Sequence, residues 1–330
     1  MADGSLFGHD VIAAADADGD DADDTAVEER VATVAASHHG ERLDKAIVAF
    51  VPEFSRNHLQ QLIRSGFVAV DDAPVASPAH RVRAGQRVAV RLQPTAESRA
   101  YRAESLPLAV VHEDSDVLVI DKAAGMVVHP AAGNWSGTVL NAVLARDPAS
   151  AALPRAGIVH RLDKDTSGLM VIGRTLAAVT ALSRAIAARE VQRRYLAIAH
   201  GTPTLERWPI DAPIGRDPRL RTRMAVVAAG KPARTDVECV VAAEGFAALR
   251  CTLHSGRTHQ IRVHLASAGM PLVGDRLYGG VPALGMTRQA LHARELAFAH
   301  PGSGEAMTFR AEPPRDFAHA WEHLVAGGGG

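Results

Sequence analysis

Lysine is almost missing from this chain: of its 36 Lys and Arg residues, only Lys45, Lys122, Lys164 and Lys231 are lysine. A high-GC coding bias accounts for most of that preference, although guanidinium also suits phosphate and base stacking. Cysteine is scarce too. Cys239 and Cys251 sit in separate apolar stretches and read as buried thiols, not as a disulfide or half a zinc site. No apolar run approaches the roughly 18 to 20 residues that span a bilayer. The first residues lack the basic and apolar regions of a secretory signal, so a reducing cytoplasm is the expected setting.

Several motifs are absent as well. There is no GxxxxGK[ST], no GxGxxG opening a helix, no GxSxG, no HExxH and no CxxC. His259 and His264 look like a metal pair. Five residues along a helix, however, turn about 500°, which leaves the two about 140° apart around the axis. The sixteen histidines therefore give no argument for zinc. Neither a metal nor a cofactor is expected.

What is present is enough chain for two domains, 330 residues of which 47% are apolar. The net charge of -1 hides an asymmetry. Residues 1–29 hold ten Asp or Glu and no Lys or Arg, so the rest carries 36 basic against 27 acidic groups, an excess of nine. A basic folded part fits a polyanionic partner.

Residues 1–37 read as an acidic disordered tail. Residues 38–95 begin with "ERLDKAIVAFV", which places Leu43, Ile47 and Phe50 at helical spacing. Ser55 can cap a second helix, "RNHLQQLIRSG", with Leu59, Leu62 and Ile63 on one face and Gly66 as its stop. Two β-like runs follow, "GFVAVDD" and "GQRVAVRL". The cations Arg42, Lys45, Arg56 and Arg64 lie mainly on the first helix and around the cap of the second. They mark either an RNA-binding face or a solvated face of a small α/β domain. Residues 96–105 have linker character, and 325–330 read as a Gly-rich tail.

Between them, residues 106–324 read as one α+β domain on a largely antiparallel mixed sheet. "DVLVIDK", "GMVVHP", "LMVIGR" and "RRYLAIAHG" are expected strands, and Thr175 can cap the helix "LAAVTALSRAIAARE". "ARTDVECVVAAEGFAALRCTL" is expected to be a hairpin turning at "EG".

The chemistry centres on "HRLDKDTSG", residues 160–168, where Asp163 stands between Arg161 and Lys164. A guanidinium nearby would keep such a carboxylate ionised. That suits a nucleophile or base better than a general acid. An isolated Arg-Leu-Asp is more often a surface turn.

The longer string "HRLDKDTSGLMVI" resembles the catalytic motif of the RluA-type pseudouridine synthases. The resemblance continues in order through "VQRRYLAIAHG", "GRTHQIRVHLA", "GDRLYGG" and "LHARELAFAHP", and covers about residues 106–320. The front module resembles an S4-type RNA-binding domain, and the layout resembles the family's D group, whose substrate is the large ribosomal subunit. Asp121, Ala123 and Arg193 depart from the family pattern, Arg193 standing where Lys is common.

The resemblance implies a pseudouridine synthase fold behind an S4-like domain, and isomerisation of uridine without a small-molecule cofactor. Asp163 would act at C1′ or assist elimination at C2′. Tyr195 would stack on the uracil and influence loss of the C5 proton. Arg262 would pair with Asp163 from a helix capped by Thr258 and stopped by Gly269. Arg161 would fill the space left by a flipped-out base, while Thr166 and Arg257 join the RNA contacts. His160 is expected to brace the loop and Leu265 to pack in the core. The partner implied is 23S rRNA or a large-subunit precursor, at the helix 69 hairpin, met by a monomer. The alternatives are other rRNA or tRNA uridines, or a non-catalytic ribosome-assembly factor.

Overall fold

A computed structural model describes residues 28–52, 55–92, 100–131, 133–220 and 222–327. The acidic stretch 1–27, the linker residues 93–99 and the final glycines 328–330 lie outside the described residues. The chain divides into two compact units, 1–99 and 100–330.

In the first unit, strands β1 (Glu28–Thr33), β2 (Val68–Val70), β3 (Ala73–Pro74) and β4 (Arg87–Leu92) form one sheet in the order β1-β4-β2-β3. Every pair in it is antiparallel. β1 corrects the expectation of a tail running to residue 37. Its ladder uses backbone groups that composition does not reveal, and they satisfy an edge of β4 that would otherwise be bare. The first helix is also shorter than its apolar spacing suggests: α1 (Leu43–Ala46) passes into a 3₁₀ turn over Ile47–Ala49. α2 (Arg56–Arg64) starts where Ser55 Oγ accepts from the His58 amide at 3.3 Å. Leu43, Ile47, Leu59 and Ile63 are fully buried against Val68 and Val90 of the sheet.

Among the described residues, the main sheet of the second unit has nine strands. They are β5 (Ala109–Glu113), β6 (Val117–Lys122), β7 (Ser167–Gly173), β8 (Gln192–His200), β9 (Arg207–Asp211), β12 (Arg234–Ala243), β13 (Phe246–Leu253), β14 (Leu291–Ala299) and β15 (Ala306–Arg310). The order is β5-β6-β7-β14-β8-β13-β12-β9, with β15 on β14. Only β7 and β14 run parallel, so the sheet is mixed and largely antiparallel. A separate hairpin joins β10 (Ile214–Arg216) to β11 (Met224–Val226).

The apolar runs of β6 and β7 follow from burial on both faces. Leu118, Ile120, Met170 and Ile172 pack beneath α3 (Val139–Arg146), and Val117, Val119, Leu169 and Val171 meet Leu182 of α4 (Leu176–Ala187). Thr175 Oγ1 caps α4 at the Ala178 amide, 3.1 Å away. The β12–β13 turn falls at Glu244 and Gly245, both at positive φ, as a tight two-residue hairpin requires.

Three expectations need correction. "GMVVHP" is not a strand; it contributes only a single bridge from Val127 to Thr138, because Gly125 and Pro130 interrupt it. Residues 100–105 are not free linker, since Asn141 Nδ2 donates to the carbonyls of Ala100 and Arg102 at 3.3 and 2.8 Å. The expected tail from 325 begins inside α6 (Arg315–Gly327), whose Phe317, Ala320 and Leu324 anchor it to the sheet.

Candidate active site

The loop 160–166 runs into β7 at Ser167 and Gly168, and the φ of 114° at Gly168 and its surroundings admit no side chain. A Cβ there would lie 2.3 Å from the Ala293 carbonyl oxygen. The loop closes against β14 for that reason. Its backbone is then held from four sides. The Thr166 amide donates to the Asp163 carbonyl at 3.1 Å, and Arg288 Nη1 donates to the Asp165 carbonyl at 2.9 Å. His160 Nε2 accepts from the Val171 amide at 3.0 Å. Lys122 Nζ donates to the carbonyls of Ala123, Met126 and Lys164 at 2.8, 3.0 and 3.0 Å. Burial pushes the Lys122 ammonium down to about 8 and the His160 imidazole, which also faces Arg193, down to about 3. His160 is therefore a neutral brace.

Arg262 lies on α5 (Gln260–Ser267) and joins two carboxylates. Nη1 donates to Asp163 Oδ2 at 3.0 Å; Nε and Nη2 donate to Asp275 at 2.7 and 2.9 Å. Against the cost of burial, Asp275 and Asp163 hold this guanidinium above its ordinary pKa. It also sits 5.0 Å from the centre of the Tyr278 ring, a cation–π distance. The Tyr278 hydroxyl accepts from the Met224 amide at 3.0 Å and bonds His259 Nδ1 at 2.8 Å. His259 Nε2 stands 3.8 Å from the second Asp163 oxygen.

Thr258 does not cap α5. The residue before the helix is His259, at a left-handed φ of 56° and with no side-chain cap. The Gln260 side chain instead accepts from Ser255 Oγ and the Arg257 amide, folding the turn back on itself. Gly269 follows the helix at positive φ, as a stop should. His264, bonded to Thr235 and the Ala212 carbonyl, is a core histidine.

These elements surround a cavity of about 690 Å³ lined by His160, Arg161, Asp163, Tyr195, Arg257 and Arg262, with Thr166 beside them. All seven residues expected at the site in this unit thus meet in one place. Tyr195 is 5% exposed and belongs to the main core as well as the cavity wall. Burial pushes its hydroxyl up to about 12, so it stays protonated. Leu265 is wholly core. Arg161 is exposed and makes no hydrogen bond or ion pair with any described residue, whereas Arg257 Nε donates to the Pro232 carbonyl.

Arg42, Lys45, Arg56 and Arg64 belong to the first unit. Asp44, fully buried, accepts from Arg42 at 3.0 and 3.2 Å, from Arg56 at 3.0 Å and from Gln60 at 2.6 Å. Arg42 foremost holds its carboxyl down at about 2. Lys45 pairs with Glu41 at 2.7 Å, and Arg64 is exposed without a described partner. Sequence reading missed Lys122, His259, Asp275, Tyr278 and Asp44. Asp275 and Tyr278 sat inside the "GDRLYGG" motif with no chemistry of their own to mark them.

One group of described residues, Asp114, Asp116 and His300, has the spacing to hold a metal ion. None of the three lines the cavity around Asp163. Asp114 is already engaged by two backbone amides and His112.

The site is thus a carboxylate pinned beside an arginine in a cavity whose wall includes Tyr195 of β8. Comparison with known proteins gives the class. Residues 116–267 match the RNA pseudouridylate synthase family, and residues 41–88 match the S4 domain. Ribosomal large subunit pseudouridine synthase D of Neisseria meningitidis serogroup B is 43% identical over 316 residues, 92% of this chain and 84% of that protein. The protein of the same name from Xanthomonas campestris pv. campestris is 47% identical over 301 residues, 87% of this chain and 90% of its own. The solved human RNA Pseudouridylate Synthase Domain Containing 1 superposes with a TM-score of 0.52 at 26% identity, covering 64% of this chain and 86% of that one. The chain belongs to the RNA pseudouridine synthase family and is an RNA pseudouridine synthase with an S4 domain. Among the described residues, no helix is long and apolar enough to cross a membrane.

Proposed function

We propose that the enzyme converts uridines of 23S rRNA to pseudouridine in the helix 69 hairpin loop, with Asp163 as the reacting carboxylate. The observation that carries this reading is Asp163 itself, 14% exposed to the cavity and bonded to Arg262 at 3.0 Å. Supporting the large-subunit target are the names of the relatives, the S4 match and the basic excess outside the acidic N-terminal stretch. A free nucleoside would offer no phosphates to such a module.

The reaction breaks the bond from C1′ to N1 of uracil and makes one from C1′ to C5. Asp163 either forms an ester at C1′ or takes the C2′ proton; in both routes the electron pair of the broken bond leaves on uracil. Arg262 holds the carboxylate in place through its 3.0 Å bond to Oδ2. The target nucleotide must leave its stack to reach Asp163. Tyr195 offers a ring for it to stack on, and Arg161 is free to occupy the vacated space. A hairpin loop suits this, because a partly unstacked base saves on the order of a few kcal/mol on flipping.

The test is to incubate purified protein with large ribosomal subunit particles and, separately, with tRNA, then map pseudouridine at nucleotide resolution. Modification of helix 69 loop uridines is expected. Modification confined to tRNA, or to 23S positions elsewhere, would overturn the target.

A further inference from the structure

Arg193 lines the same cavity and has no role in the chemistry above. It is 5% exposed, its side chain forms no ion pair or hydrogen bond with any described residue, and its Nε is a buried donor without an acceptor. Buried charges are ordinarily paired, and buried donors are ordinarily satisfied. His160 and Tyr195, the two groups on which its charge is seen to act, both stay neutral and give it no counter-charge. Its Nη1 lies against Gly256, where a Cβ would stand only 2.9 Å away, so the turn at 255–257 leaves room for the guanidinium and gives it nothing to bond. The site is completed from outside.

Position decides what completes it. On β8, exposed Gln192 and Arg194 alternate with buried Arg193 and Tyr195. Arg193 therefore sits on the face of Tyr195, two residues and about 6.5 Å along the strand. Arg161, by contrast, is exposed at the cavity wall. Arg193 is in the chamber of the base.

We infer that Arg193 donates to the carbonyl oxygens of the flipped-out uracil and stabilises the negative charge the base carries once its bond to C1′ breaks. The inference rests on Asp163 being the reacting carboxylate. As that carboxylate bonds C1′ or removes the C2′ proton, the C1′–N1 pair passes into the uracil ring and spreads to O2 and O4. A fixed guanidinium at those oxygens interacts more strongly with the anion than with the neutral base, which lowers the barrier. When C5 then attacks C1′, the charge on the base is consumed: the ester bond to Asp163 breaks and frees the carboxylate, or in the elimination route Asp163 returns its proton to C2′, and loss of the C5 proton with protonation of N1 completes the isomer. Arg193 is thus a further catalytic residue.

The experiment uses the full-length enzyme and whichever RNA the wild type modifies, so that a wrong target fails separately, and Asp163→Asn serves as the zero of chemistry. Arg193→Met, Arg193→Gln and Arg193→Lys are compared by single-turnover rate at saturating RNA, by RNA Kd across salt concentrations, and by melting temperature. The expected result for Met and Gln is a rate loss of about 10²–10³-fold, the scale of losing one preorganised donor to a developing anion. Their Kd should stay within about threefold and its salt slope should not change, while Lys recovers most of the rate. If Met does not fold, Gln and Lys at native melting temperature carry the comparison. Full rate in the neutral variants overturns the inference. So does a weaker Kd with a salt slope shallower by about 0.7–0.9 and an unchanged rate, which would assign Arg193 to a phosphate.

Discussion

Asp275 clamps Arg262 at two points, with Nε and Nη2 donating to its oxygens at 2.7 and 2.9 Å. Its side chain is 1% exposed, against 14% for Asp163, so one carboxylate fixes the guanidinium and the other is left facing the cavity. Asp275→Asn keeps the shape but removes the charge that holds Arg262 in place. Loss of the buried pair should cost about 3 kcal/mol of stability. A displaced Arg262 should slow single-turnover isomerisation about 10- to 100-fold at unchanged RNA affinity. A variant with native rate would show that Arg262 needs no second carboxylate.

His160 makes the catalytic loop acid-sensitive. Unfolded, its imidazole takes a proton near pH 6.5; folded, burial and Arg193 hold that event off to about 3. Between those values the unfolded chain binds more protons, so stability falls as pH falls from 6.5 toward 3. The loss from this one residue is on the order of a few kcal/mol. Chemical denaturation at a series of pH values should show that slope, and His160→Gln should flatten it. Equal slopes for the two proteins would mean that other groups control acid unfolding.

The S4 unit makes a graded prediction about salt. Arg42 and Arg56 are tied to buried Asp44, and Lys45 to Glu41, whereas Arg64 is exposed and has no partner among the described residues. A phosphate contact made by Arg64 would be lost in Arg64→Ala, lowering the slope of log K against log salt by about 0.7–0.9. Lys45→Ala should change it less, because Glu41 already offsets that charge. Asp44→Ala should instead act on stability, by about 2–3 kcal/mol, since two guanidinium groups lose their common acceptor. An unchanged salt slope in Arg64→Ala would mark this helix as a solvated face.

The sequence carried the strands, helices and turn signals that depend on local pattern: the Ser55 and Thr175 caps, the Glu244–Gly245 hairpin and the strand over "LMVIGR" were all legible. It did not carry features set by partners far along the chain. β1 is a strand because β4 has an edge to fill, and the acidic residues around Glu28 concealed it. Thr258 had the chemistry of a cap, but Gln260 folded the turn first. At the site, Asp163, Tyr195 and Arg262 were named from their motifs, and the cavity unites them. Lys122 and Asp275 were not named as site residues, because they reach the site through the Lys164 carbonyl, 42 residues from Lys122, and the Arg262 guanidinium, 13 residues from Asp275.

Everything turns on whether Asp163 is the carboxylate that reacts. Asp163→Asn preserves the volume and can still accept from Arg262, but it lacks the negative charge needed to attack C1′ or to take the C2′ proton. Single-turnover isomerisation with saturating RNA, measured on enzyme free of wild-type contamination, is the direct test. No pseudouridine is expected from the Asn variant, with RNA affinity and melting temperature close to wild type. Measurable turnover by that variant would contradict the assignment.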